Sequence, residues 1–541
     1  MRRALSRLAD ETFDLLIVGG GITGACVARD AALRGLKVAL IEKSDFAGAT
    51  SAHNSKLVHG GLRYLRNLEI GLVRESLRER RIWQRIAPHL VRPLPFLLPV
   101  YGDRRQSIML KIGLMLYDLL SFDKRWQDDP DERLPSHRWL NKQDALEREP
   151  VIRGKNLRGA FLYYDAQMYS PERLALECLI DADAHGAALA NYVEATKLRQ
   201  SNGRITGCSA RDTVSGRDID IVAKATLVAA GPWADIFLDR ALGKPSATRL
   251  LRSKGIHVLT RALTKDCALT MAAGDGHFFV MPWRGHSLIG TTDTSFKKSP
   301  DELAVSGTDI GDFLSFVDKF LPAAQLGPRD VENSYAGLRP LVDDGSGDTY
   351  HASRRAELVD HSKQDGAAGL FSAVGGKWTT SRALAETVVN TIADKMDFNI
   401  RMCTTAKSPL PGGRIGRWKA FTSDMLKSYP AMASREHLTH MYGAQLNDLV
   451  AQSRGSVKDF EPLGPSGDTP AQIRHAVREE MAISMPDVVM RRTSLGQFGL
   501  PSPEILDTVA AIMADELGWK DDRKAREIAS IAPLFALRED A

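Results

Sequence analysis

Residues 13–43 read FDLLIVGGGITGACVARDAALRGLKVALIEK, and the fold turns on them. Leu15-Leu16-Ile17-Val18 is an apolar run long enough for a buried strand and too short for a helix. Gly19-Gly20-Gly21-Ile22-Thr23-Gly24 follows and matches G-x-G-x-x-G, with Gly19, Gly21 and Gly24 in its three key places. Ala25 to Arg34 reads as a helix that Gly35 stops, and Lys37 to Ile41 as a second strand that delivers Glu42. In such a unit the first glycine makes the tight turn, the second lets the backbone approach a pyrophosphate, and the third allows close helix–strand packing. The helix then offers its free N–H groups and positive dipole end to the phosphates. Glu42 is placed to accept hydrogen bonds from a ribose 2′-OH. A lone glycine motif is weak, but strand, helix, strand and acidic residue all fall in place here. The reading is dinucleotide binding, and the motif itself does not separate FAD from NAD.

With 541 residues the chain exceeds a single core, so two or three domains are expected. The 72 basic and 67 acidic residues leave a net charge of only +5, too mild to argue for nucleic acid. Five cysteines are scattered with no C-x-x-C pair, which fits a reducing compartment and predicts neither disulfide framework nor metal site. The opening MRRALSRLADE has the charge of a signal peptide but no apolar h-region, and no run of apolar residues is long enough to span a bilayer. The expectation is a cytoplasmic protein, with surface contact to a membrane left open.

The segment from Ala47 to Tyr64 is small and hydroxyl-rich, and reads as a loop passing close to a bound ligand. A helix from about Leu72 to Ile86 carries a stripe of Arg74, Arg78, Arg81 and Arg85, expected to be a solvated face. Ile108 to Leu120 is strongly apolar but short and flanked by Arg104, Arg105, Lys124 and Arg125. It reads either as a core helix or as an interfacial helix lying on a bilayer. Ser170-Pro171 is a capped helix start, and the helix runs to about Ala184. Strands follow near 189–198, 204–214 and 217–223, then Ala225 to Trp233 reads as an apolar strand ending in Gly231-Pro232, where Gly231 permits close approach to a cofactor. Residues 250–350 alternate strands and turns as an antiparallel sheet does, and Leu370 to Lys377 returns to strand-then-glycine. Pro409 to Gly413 reads as a linker, beyond which the pattern is helical. The expected fold is α/β. A Rossmann-type dinucleotide-binding domain (1–100, 160–245 and 365–408) carries a discontinuous antiparallel-sheet substrate domain (101–159 and 246–364), and an all-α domain occupies 414–541.

Taken together, several blocks resemble the FAD-dependent, quinone-linked glycerol-3-phosphate dehydrogenases. They are GGGITG within Ile17 to Gly35, SKLVHGGLRYL from Ser55 to Leu65, AGPW from Ala230 to Trp233, KGIH from Lys254 to His257, IGTTD from Ile289 to Asp293, GLRPL from Gly337 to Leu341, and GGKWTT from Gly375 to Thr380. RHAVREEM from Arg474 to Met481 and Arg491-Arg492-Thr493 look like the family's helical cap. Three positions depart from the family pattern: Cys26 where a glycine is usual, His53 in the flavin loop, and Ser381 where a tyrosine is usual.

The resemblance implies oxidation of sn-glycerol 3-phosphate to dihydroxyacetone phosphate, with hydride passing to non-covalent FAD. It also implies reoxidation by ubiquinone or menaquinone at the inner face of the cell membrane, where the protein would be peripherally attached. A homodimer is left open. Around the cofactor it places Gly19, Gly21, Gly24, Glu42, Thr50, Ser51, Ser55, Lys56, Leu57, Gly231, Gly376, Lys377 and Thr379. Around the substrate it places Arg63, Tyr64, Arg339, Arg354 and Asp293. The residue types suit the task, since a phosphorylated polyol calls for forked guanidinium donors. Lys377 could stabilise reduced flavin or the substrate oxygen. The C2 hydroxyl proton needs a base, for which His257 is preferred and His59 is the alternative. With Arg339, His257 and Lys377 form the expected catalytic set. Two other readings compete: an oxygen-using FAD oxidase of the same superfamily, and a flavin-binding scaffold without turnover.

Overall fold

The computed structural model describes all residues except 66, 103, 274–275, 344–355, 454–455 and 539–541. Thr12–Val18 is the strand around which the first sheet is built. It lies between Val38–Ile41 and Asp218–Val228, both parallel to it. Ala188–Ala190 and Leu370–Gly375 extend the parallel run at either side, and Ala356–Asp360 adds an antiparallel edge. Leu15 and Ile17 pack on one face with Ala25, Ala28 and Leu179, while Leu16 and Val18 pack on the other with Phe237 and Leu238. A sheet covered on both faces reads as an unbroken apolar run, which is why Leu15 to Val18 shows no alternation. The carboxyl ends of the parallel strands lead into Gly19, Glu42, Ala229–Gly231 and Gly375–Lys377, the crevice where ligands of such sheets lie.

The second sheet is centred on long antiparallel pairs: Leu250–Arg261 with Val331–Val342, and Val91–Val100 with Gly159–Met168. It is not purely antiparallel, because Ala268–Ala273 joins Val91–Val100 in parallel. The sheets also cut the chain elsewhere than the expected boundaries. Val91–Val100 and Gly159–Met168, assigned above almost entirely to the FAD-binding portion, belong to the second sheet, and Ala356–Asp360 belongs to the first. Pro93, Pro95 and Pro99 mask the strand Val91–Val100 in the sequence. All three share one parity, so their missing N–H groups fall on one edge and leave the other for a complete ladder.

The helix Ile70–Ile86 corrects the expectation of a solvated basic stripe. Arg74 donates to Asp123 from both terminal nitrogens at 2.9 Å, Arg81 reaches the same carboxylate at 3.1 Å, and Arg85 pairs with Asp128 at 2.8 Å. The adjoining helix Arg104–Leu120 departs from its core-helix reading. Only Leu114 and Tyr117 are buried, whereas Ile108, Met109, Ile112, Met115 and Leu119 are 51–68% exposed, so it is not a core helix. Lys124, expected as a basic flank, is buried and donates to Asp118 at 2.6 Å.

Beyond Met396 the described elements are helical, from Trp418–Ser428 to Asp521–Ala529. The expected linker is instead a buried crossing. Leu410, Gly412 and Gly413 are inside, Gly412 donates to Glu177 at 3.1 Å, and its backbone lies against His89 and Tyr442.

Candidate active site

A cavity of about 660 Å³ runs along the carboxyl ends of the first sheet. At one end lie Val193 to Ala195, Trp233 and Arg240; at the other lie His59, Tyr64, Arg339 and Gly375 to Thr379. The glycine turn also lines it, through Gly19 and Gly21. A Cβ on Gly24 would stand 1.9 Å from the Gly19 carbonyl oxygen, so the helix Ile22–Leu33 can sit this close to the strand only with glycine there. The helix begins at the cavity wall, with the Ile22 N–H donating to Ser51 Oγ at 2.9 Å. Glu42 lines the cavity beside it and accepts from the Gly20 N–H at 2.7 Å and the Ser44 N–H at 3.0 Å. A cavity with a helix N-terminus at its wall and an acidic residue at the second strand's end has the chemistry of a dinucleotide site.

The opposite end is held together by bonds between distant segments. Thr50 Oγ1 donates to the Leu338 carbonyl at 2.6 Å and Trp378 Nε1 to the Ser51 carbonyl at 3.2 Å, so the loop is fastened to the GLRPL and GGKWTT blocks. Arg339 lies across Gly255, where a Cβ would stand 2.5 Å from its guanidinium. Its Nη1 donates to Ser253 Oγ at 3.1 Å and the Thr292 carbonyl at 3.2 Å, and its Nη2 to Thr291 Oγ1 at 2.9 Å. Asp293 stands 4.0 Å from the guanidinium and accepts from Ser253 at 2.6 Å, which makes it an orienter of Arg339. Lys377 Nζ donates to Ser76 Oγ at 2.5 Å and lies 4.5 Å from the centre of the Tyr64 ring.

Of the sequence-predicted residues, Gly19, Gly21, Glu42, Thr50, Ser51, Ser55, Leu57, Tyr64, Gly231, Arg339, Gly376, Lys377 and Thr379 line this cavity. Lys56 does not; its side chain is buried, 3.5 Å from Glu172. Arg63 stacks 5.5 Å from the Tyr64 ring centre, outside the lining. Arg354 falls outside the described residues. His257 is also set back: it is buried behind the lining, with Nε2 2.9 Å from Ser55 Oγ, while His59 lines the cavity directly. Burial, reinforced by the Arg339 and Lys56 charges, holds His257 well below the ordinary histidine value. Burial likewise brings His59 down to about 4. Both imidazoles are therefore neutral at pH 7.

Sequence reasoning missed the supports. Ser76 holds Lys377, Asp165 accepts the Gly60 N–H at 3.2 Å, and Tyr335 stacks between His53 and His257 with centroids 5.4 and 5.1 Å away. At the other end Asp301 takes Lys43 at 3.1 Å and Trp233 Nε1 at 3.0 Å. None belongs to a local motif. Two of the three departures meet: Cys26 Sγ lies 3.6 Å from Ser381 Oγ, so a larger side chain on one helix faces a smaller one on the other.

Known proteins similar to this chain share its fold and cofactor class. Residues 14–391 match the family model described as FAD dependent oxidoreductase, and 403–524 match the C-terminal domain of alpha-glycerophosphate oxidase. A glycerol-3-phosphate dehydrogenase of Synechocystis is 36% identical over 97% of both chains. The aerobic glycerol-3-phosphate dehydrogenase of Bacillus subtilis is 29% identical over 98% of this chain and 96% of its own. The crystal structure of glycerol-3-phosphate dehydrogenase from Bacillus halodurans complexed with FAD superposes with a TM-score of 0.78 at 27% identity, covering 99% of this chain and 98% of its own.

Proposed function

The chain belongs to the FAD-dependent glycerol-3-phosphate dehydrogenases, and from that premise we propose that it oxidises sn-glycerol 3-phosphate to dihydroxyacetone phosphate and passes the electrons to a membrane quinone. The observation that carries the reading is that Arg339, Lys377, Tyr64 and His59 together line one dinucleotide cavity. Bound FAD supplies the hydride acceptor. Arg339, its plane set by Ser253, Thr291 and Thr292, grips the phosphate through its fork. Lys377 lies over Tyr64 and stabilises negative charge on the substrate oxygen as the C2 proton leaves. That proton passes to the Ser55–His257 pair, in which Ser55 is the member facing the cavity.

Anaerobic addition of glycerol 3-phosphate to the yellow protein should bleach it; an unchanged spectrum would leave only a scaffold. Hydrogen peroxide formation in air at the rate of bleaching would make it an oxidase. Arg339→Lys keeps the charge and loses the fork. It should lower kcat/KM about 10- to 150-fold, the loss of one charge-assisted hydrogen bond, with activity on unphosphorylated glycerol unchanged. The pH profile tests the base. Because His257 is held neutral, kcat/KM should show no acid limb near pH 6.5; a limb there, abolished in His257→Asn, would mean the imidazole titrates normally. FAD is non-covalent in this reading, so acid precipitation should release all the yellow colour.

Contact with a bilayer rests on the helix Arg104–Leu120. Among the described residues no helix is long and apolar enough to cross a membrane. The exposed Ile108, Ile112, Met115 and Leu119 follow one helical face, continued by exposed Phe122 and Trp126. Exposed Arg104, Arg105, Lys111 and Arg125 border it. Such a face lies in the headgroup plane with its apolar side chains in the acyl boundary, where a lipid-soluble quinone is reached.

A further inference from the structure

We infer that the C-terminal helical domain is a positioning clamp on the FAD-binding loop, acting through Arg491, Arg492 and Gln497. The inference rests on the FAD reading of the cavity and is independent of the substrate. The loop from Ser44 to Ser55 supplies much of the cavity wall yet contains no helix or strand, so its shape depends on what anchors it. One short stretch of the helical domain holds its first end directly and reaches its second end through Glu172.

At the first end, Asp45 is buried between cavity-lining Ser44 and Ala47. Its carboxylate accepts from Arg491 Nε at 2.5 Å and from Arg492 Nη1 and Nη2 at 2.8 and 2.9 Å. Burial would raise this carboxyl, but the two guanidiniums outweigh it and bring Asp45 down to about 2. Both arginines come from Val488–Arg492, a π-helical turn, a rare geometry that recurs at functional sites. Just beyond Asp45 the Ala47 N–H donates to the Gly20 carbonyl at 3.1 Å, so the anchored turn leads directly onto the phosphate-binding glycines.

At the second end, Lys56 follows cavity-lining Ser55 and takes a left-handed conformation with φ 53°. Its ammonium is buried 3.5 Å from Glu172 Oε1, the same oxygen that accepts from Gln497 Nε2 at 3.3 Å. Gln497 is itself fixed, donating to the Met490 carbonyl at 3.0 Å, while its own carbonyl accepts from Asn333 at 3.0 Å. The helical domain thus sets where the loop leaves the strand Val38–Ile41 to pack on the glycine turn and where it joins the second sheet. None of the three clamp residues lines the cavity, so they act through the loop and not on the FAD.

The test uses the FAD-loaded full chain carrying Arg491→Gln, Gln497→Leu or both, with Arg478→Gln as control. Arg478 is exposed and pairs with Glu516 within the helical domain. Flavin release is followed by fluorescence recovery after dilution, and melting temperatures are taken with and without FAD. The double variant should release FAD about 10- to 100-fold faster, the effect appearing mainly in the off-rate. The gap between FAD-loaded and FAD-free Tm should shrink, and Arg491→Lys should restore part of it. Release within about twofold of wild type, or loaded and free Tm falling by the same amount, would overturn the clamp, since a purely structural contact stabilises both forms equally. A wild-type chain that held no FAD would overturn the cofactor reading and the clamp with it.

Discussion

Ile70–Ile86 and Arg104–Leu120 are neighbouring helices of 17 residues each, and they invert what their hydropathy implies. The first is rich in arginine and glutamate, yet it runs through the interior. Arg80 is 1% exposed and bound to Asp165, the Tyr164 carbonyl and Ser121, and Glu79 receives Arg382 at 2.6 and 2.8 Å. The second is apolar, yet it fully buries only Leu114 and Tyr117, half-buries Leu110, Leu116 and Leu120, and turns Ile108, Met109, Ile112, Met115 and Leu119 outward. The two are joined where Arg74 donates to the Leu120 carbonyl at 2.9 Å, a cation at a helix C-terminus. Polarity can go inside when every charge finds a partner, and apolar surface can stay outside when another phase covers it.

The contrast fails if the buried charges contribute nothing. Arg80→Met removes the guanidinium that neutralises Asp165 and should destabilise the FAD-loaded protein by about 3–5 kcal/mol, because an uncompensated buried charge remains. Urea unfolding reads this directly, and a loss under about 1 kcal/mol would mean the interior charge is hydrated. On the outward helix the effect should appear in binding and not in folding. Ile112→Glu with Met115→Glu should weaken attachment to anionic vesicles by about tenfold or more, with unfolding free energy within ~0.5 kcal/mol of wild type. Unchanged vesicle binding would leave that face without an occupant. The smallest effect belongs to Arg78, the exposed member of the arginine stripe; Arg78→Gln should shift stability by no more than ~0.5 kcal/mol. A larger loss would show that the whole stripe is structural.

The two halves of the site differ in the same way. The glycine turn was legible because everything it needs is local: apolar run, glycine spacing, helix and Glu42 lie within thirty-one consecutive residues. The substrate end was legible only as blocks of residue types. That Arg339 is held by Ser253 and Thr291, that Lys377 rests on Ser76, and that His257 meets the cavity through Ser55 depends on pairs separated by 86, 48, 301 and 202 positions. The same distance hid the contact of Cys26 with Ser381, 355 positions apart. The domain boundaries misplaced Val91–Val100 because its prolines erase the strand signal, and Pro409 to Gly413 looked like an exposed tether because small residues serve close packing as well as flexibility.

By itself the sequence determined the dinucleotide-binding unit, the order of the blocks and the chemical types at the site, since these follow from backbone sterics and side-chain chemistry within short spans. Tertiary structure alone decided which helix is inside, which histidine faces the cavity and which arginines hold Asp45. Those are questions of which surfaces meet, and the free energy of burying a charge or an apolar face depends on the partner, not on the residue.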